Sequence, residues 1–179
     1  MDVVAASLER QASRRPGVHA RLRKAFPSWR IALAGALLWG LAMAGSAAVN
    51  LLADGWQTTA KVVEVATVFA AGAALAFPAA YAAAGILAGN RGWETRLASA
   101  FLAFSVGTIG ITALIYALDY RQYYAAWHAE AFSFTWMHQF AFTLAGALVQ
   151  FAVTGVRFYF PLGFLALAAV SAWFAHRAR

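Results

Sequence analysis

Residues 97–118 read LASAFLAFSVGTIGITALIYAL, and no charged side chain interrupts them. A helix needs about 20 apolar residues to cross roughly 30 Å of hydrocarbon. This run meets that length, and four more apolar stretches surround it in the chain. They cover 31–53, 62–88 with Pro78 inside, 132–154, and 158–175. The expected fold is therefore an all-α, polytopic transmembrane bundle of about five spans. The composition agrees: 63% of the 179 residues are hydrophobic and the mean hydropathy is +0.63. A soluble chain of this length could not bury so much apolar surface.

Charge gives the organisation. The net charge is +7, and the basic excess is concentrated before the first stretch, in Arg10, Arg14, Arg15, Arg21, Arg23, Lys24 and Arg30. Residues 1–30 read as a basic cytoplasmic segment and 31–179 as the membrane domain. Val18, Leu22 and Phe26 recur at helical spacing there, which fits a short amphipathic helix on the inner surface as well as a basic tail. Arg21, Arg23, Lys24 and Arg30 are the expected contacts to lipid headgroups. Nucleic acid is not an expected partner, because no soluble module presents these residues. Ser13-Arg14-Arg15 resembles the start of a twin-arginine signal, but Pro16-Gly17 follows and the apolar core begins far downstream. An uncleaved first span is the better reading.

The positive-inside rule sets the orientation: N-terminus cytoplasmic, in a bacterial inner membrane. Arg91 and Arg96 then lie inside. Asp54, Glu64, Asp119 and Glu130 lie outside, and Arg157 inside. Five crossings leave Arg177 and Arg179 outside, against the rule. A second arrangement has four crossings, with one stretch lying in the interface or re-entering, and returns the C-terminus to the inside.

Two features bear on packing. Gly72, Ala76, Ala80, Ala84 and Ala88 recur every fourth residue, and small residues let membrane helices approach closely. With Gly35, Gly40 and Gly45 in the first span, they predict tight packing of spans one and two, with a bend at Pro78. Trp29, Trp56, Trp93, Tyr120, Tyr123, Tyr124, Trp127 and Trp173 fall near span ends, as anchors at the headgroup level.

Candidate functional residues form two groups. Ser105, Thr108, Thr112, Tyr116 and Asp119 share one face of the third span. Thr135, Gln139, Thr143, Gly146, Gln150 and Thr154 share one face of the fourth, and Arg157 continues that line. Spans joined by a short loop are usually neighbours, so the two stripes are expected to face each other as an interhelical polar seam. Side-chain hydrogen bonds make such a seam packing glue, and water would make it a pathway. The second group is an outer-face set, Glu64, Asp119, His128, Glu130 and His138, whose chemistry suits protons or a divalent metal. The ten-residue gap between the two histidines matches no metal signature.

There is no cysteine, so no disulfide, thiolate site or cysteine nucleophile exists. No nucleophile elbow or phosphate loop appears. His19 and His176 lie outside the span cores, which argues against a haem between helices. The sequence names no cofactor and no catalytic residue. Its first functional reading is a non-enzymatic membrane protein, an accessory or assembly subunit of a membrane complex or a homo-oligomer. Its expected partners are the lipid bilayer and other membrane subunits or itself. A small transporter or ion pathway along the seam is the alternative. A metal-dependent membrane enzyme on the outer cluster comes third.

Overall fold

A computed structural model describes residues 25–177. The expected headgroup contacts Arg21, Arg23 and Lys24, the expected amphipathic N-terminal helix and Arg179 lie outside these residues. Within them the chain is an all-α bundle with no strand: α1 (Trp29–Ala53), α2 (Thr59–Ala88), α3 (Trp93–Tyr124), α4 (Phe134–Gln150) and α5 (Leu162–Arg177). Each expected apolar stretch contributes a helix. Trp29–Ala53, Thr59–Ala88, Trp93–Trp127 and Phe134–Tyr159 are long and apolar enough to cross a membrane. The chain is a multi-pass membrane protein, and its outward surface is lined with exposed Leu, Val, Phe and Trp side chains.

Helix α2 packs closely on both α1 and α3, and small residues explain how. Gly40 of α1 is so close to α2 that an added Cβ would lie 3.0 Å from the Ala70 carbonyl oxygen. That is the expected contact between spans one and two. The stripe Gly72–Ala80, however, faces α3. A Cβ on Gly72 would fall 2.6 Å from the Thr112 Cα, and one on Gly107 would touch Ala80. Gly72, Ala76, Ala80, Ala84 and Ala88 are all buried. So α2 uses one small face for each neighbour, and its helix runs unbroken through Pro78. Large side chains fill the remaining space, with Phe69, Phe104 and Met43 almost fully enclosed. Trp39 meets Phe104 edge to face at 5.6 Å, and Phe77 lies 5.3 Å from Phe104.

The path after α3 differs from the five-crossing order. Residues Ala125–Trp127 form a short 3-10 turn, and the loop leads into α4, capped by the Ser133 side chain accepting from Trp136 N–H. The start of α4 lies near the end of α3, since the Arg121 guanidinium sits over the Phe140 ring at 4.8 Å. The far end of α4 widens into a π turn, Phe151–Gly155, then tightens into a 3-10 turn, Val156–Tyr159. There Arg157 pairs with Asp54, just beyond the end of α1. Both ends of Phe134–Tyr159 therefore share the face that carries the α1–α2 loop. By length and composition this segment could cross, but it returns to the side on which it began.

Helix α5 makes the return instead. Its first turn packs at Gly163 against Met43 and Ser46 of α1, and its last turn sets His176 against Trp93 at the start of α3, 5.8 Å between rings. Ser46 lies seven residues before Ala53, about 10 Å along the helix at 1.5 Å per residue. Starting that deep lets the 16 residues of α5 reach the far face over about 24 Å. Two expectations are corrected. Arg157 lies on the face of Asp54, opposite Arg91 and Arg96, and Arg177 lies on the face of Arg91 and Arg96. The arrangement with four crossings, ranked second from sequence, matches this path.

Candidate functional site

The best-defined polar site is the joint that locks the α4–α5 turn onto α1. Ser46 is fully buried on α1. Its hydroxyl donates to the Phe158 carbonyl at 2.8 Å and accepts from the Gly163 N–H at 3.1 Å. One turn later, Asn50 Nδ2 donates to the carbonyls of Phe158 at 3.2 Å and Phe160 at 2.9 Å, and to that of Ser46 at 2.8 Å. The turn needs these partners because its backbone leaves α-helical pairing between Phe151 and Leu162, and unpaired backbone groups inside a bilayer are costly. The Phe160–Pro161 peptide is cis. Gly155 is required as well, since a Cβ there would lie 2.6 Å from the Phe151 ring. Above the joint, Arg157 Nη2 donates to Asp54 Oδ2 at 2.6 Å.

Beside this joint lies a cavity of about 290 Å³, bounded by α1, α3, α5 and the turn. Its wall is almost wholly apolar, with Trp39, Met43, Phe101, Phe104, Phe164 and Leu167 among the lining residues. The polar groups near it are mostly occupied. Trp39 Nε1–H donates to Thr108 Oγ1 at 2.9 Å, and the Ser105 hydroxyl donates to the Phe101 carbonyl at 2.7 Å.

The two polar stripes do not run together through the bundle. On α3, Thr108 turns to α1, Thr112 packs on Gly72 of α2, and Ser105 bonds its own helix. Tyr116 lies against Phe151, 5.7 Å between rings, and Asp119 is exposed. On α4, Gln139 Oε1 accepts from Ala129 N–H at 2.8 Å, tying the α3–α4 loop to the helix. Thr143 Oγ1 lies 3.3 Å from His128 Nε2. Thr135 and Gln150 are exposed, and Thr154 donates to the Gln150 carbonyl at 2.8 Å. An open hollow lies between Tyr120 and Tyr124 of α3 and Phe142, Thr143 and Gly146 of α4, so the α4 stripe reaches it and the α3 stripe does not.

The outer-face residues share a face but not a site. Glu64 pairs with Lys61 at 2.7 Å. His138 Nδ1 lies 2.9 Å from the Phe134 carbonyl, while His128 reaches Thr143. Glu130 is exposed, as is Asp119. Among the described residues, no three His, Asp or Glu side chains come close enough to hold a metal ion. The metal cluster expected as one option is not assembled.

The joint is not among the candidate sites expected from sequence, because Ser46 and Asn50 stand alone in an otherwise small and apolar span and form no extended polar stripe. The signal was there: Ser46 and Asn50 stand one helical turn apart, the two strongest hydrogen-bonding side chains in the first span. No protein-family model matches the chain, and neither a curated protein nor a solved structure resembles it significantly.

Proposed function

We propose that this chain is a non-enzymatic subunit of a larger membrane assembly, docking through the outward face of α4. One observation carries the reading. Helix α4 packs mainly on α3, and leaves Phe134, Met137, Phe142 and Val149 exposed, with Val153 beyond its end. Gly146 and Gln150 interrupt that apolar face, also exposed. A face that mixes large apolar groups with a glycine and a glutamine suits another helix better than lipid alone, because the glutamine amide then gains a partner. The partner is another membrane subunit or a second copy of this chain. Small residues on α2 do not serve this role, since α1 and α3 already cover them.

Charge supports an orientation. Among the described residues, Arg30, Arg91, Arg96 and Arg177 share one face with a single acid, Glu94. Lys61, Arg121 and Arg157 share the other with Asp54, Glu64, Asp119 and Glu130. By the positive-inside rule the first face is cytoplasmic, in the inner membrane of a bacterium, with Arg30 at the lipid headgroups. A transport path has less support, because Thr108 and Thr112 pack against α1 and α2 instead of opposing the polar face of α4.

The test is native mass analysis of the tagged protein after gentle extraction. Phe142→Ser combined with Val149→Ser should release the chain from its assembly while leaving its own melting temperature unchanged. If the double variant assembles like the parent, the docking reading fails.

A further inference from the structure

We propose that the cavity beside the α4–α5 joint holds one acyl chain of a phospholipid, with its zwitterionic headgroup seated on the Arg157–Asp54 pair. The wall offers almost nothing to a polar ligand, and Phe101, Val156, Phe160 and Phe164 leave one side open toward the surface that faces lipid. An apolar cavity stays dry and takes an apolar guest, and in a bilayer the guest at hand is a hydrocarbon chain.

Depth and charge select a lipid as occupant. Asp54 stands four residues beyond Asn50, whose amide holds Phe160 at the upper rim. Trp39, at the floor, lies fifteen residues before Asp54. At 1.5 Å per residue the rim is about 6 Å and the floor about 22 Å below the ion pair. One leaflet presents a headgroup layer of roughly 5–8 Å over about 15 Å of hydrocarbon. A chain whose headgroup sits at the pair therefore ends at the floor. The pair itself is accessible, with Arg157 59% and Asp54 41% exposed, and a single nitrogen and a single oxygen make their contact. The remaining guanidinium N–H groups suit a phosphodiester, and Asp54 Oδ1 suits an ammonium. Phosphatidylethanolamine carries both charges at that separation, whereas phosphatidylglycerol has only the anion.

The protein is reconstituted in vesicles of equal phosphatidylethanolamine and phosphatidylglycerol, extracted gently, and its retained lipid read by native mass spectrometry. The parent chain should keep one phosphatidylethanolamine. Ser105→Phe, which fills the cavity from α3, should cut that retention about tenfold, equivalent to roughly 1.4 kcal/mol. Ile109→Phe repeats the test from the same helix should the first variant not fold. Asp54→Asn should remove the preference between the two lipids. Equal retention by parent and filled variants overturns the cavity as the chain site, as does a parent that keeps no lipid. A preference that survives Asp54→Asn overturns the headgroup assignment.

Discussion

Arg157 and Asp54, 103 residues apart in sequence, meet through a 2.6 Å ion pair. This contact places the turn that follows the fourth helix at the end of α1. Asp54 follows the last residue of α1, so the end of the α4 segment stands on the face where α1 finishes and α2 begins. The pair is exposed, and as an isolated surface ion pair it adds little stability. Its significance is positional.

The first prediction concerns topology. The chain has no cysteine, so single cysteines can be placed freely. Thr58→Cys and Arg157→Cys should label from the same side of sealed vesicles, and Asn90→Cys and Arg177→Cys from the other. Arg157→Cys labelling together with Asn90→Cys would restore five crossings.

Ser46→Ala should destabilise the protein by about 1–3 kcal/mol, because it strips the Gly163 N–H of its acceptor and leaves the Phe158 carbonyl with only the longer bond from Asn50. The buried Ser171 hydroxyl has no hydrogen-bond partner among the described residues, so Ser171→Ala should cost far less. Thermal melts of both variants in detergent compare them directly. Equal losses would mean the joint does not hold the turn.

Gly72→Leu should abolish accumulation of folded protein, since the new side chain would enter the space of Thr112 and neither backbone can retreat. Gly146→Ala should be tolerated, because nothing lies within 4 Å of its Cβ position. Membrane yield and size-exclusion profile decide between them. A folded Gly72→Leu protein would contradict the close α2–α3 packing.

Gln139→Ala should loosen the α3–α4 loop without separating α4 from α3, because its side-chain hydrogen bond goes to the loop, at Ala129 N–H, and not to α3. Faster proteolysis near 125–133 at an unchanged melting temperature is the expected result. No change in cleavage would place the loop's hold elsewhere.

Legibility differed between the two levels. Five helices could be read from apolar runs alone, and aromatic residues near the span ends pack on one another at a tilt, with ring centroids of Tyr120 and Tyr124 4.8 Å apart and of Tyr123 and Trp127 5.5 Å apart. The polar stripes were visible as periodicities, but their partners were not. Thr108 and Thr112 satisfy the same spacing rule as Gln139 and Thr143, yet the first pair turns to α1 and α2 and the second closes a loop. Periodicity gives a face and leaves its neighbour open. The outer-face histidines and carboxylates likewise share a level in the sequence, and their helices hold them apart.

By itself the sequence determined the solvent, the helices and the basic end of the chain, because these follow from how many apolar residues stand in a row and where charge interrupts them. Only the tertiary structure decided which apolar stretches run from face to face. Length and hydropathy are the same whether a helix crosses or turns back. The difference lies in Ser46, Asn50 and Asp54, which hold Phe158, Phe160 and Arg157 at the end of α1 and so bring the chain home through α5.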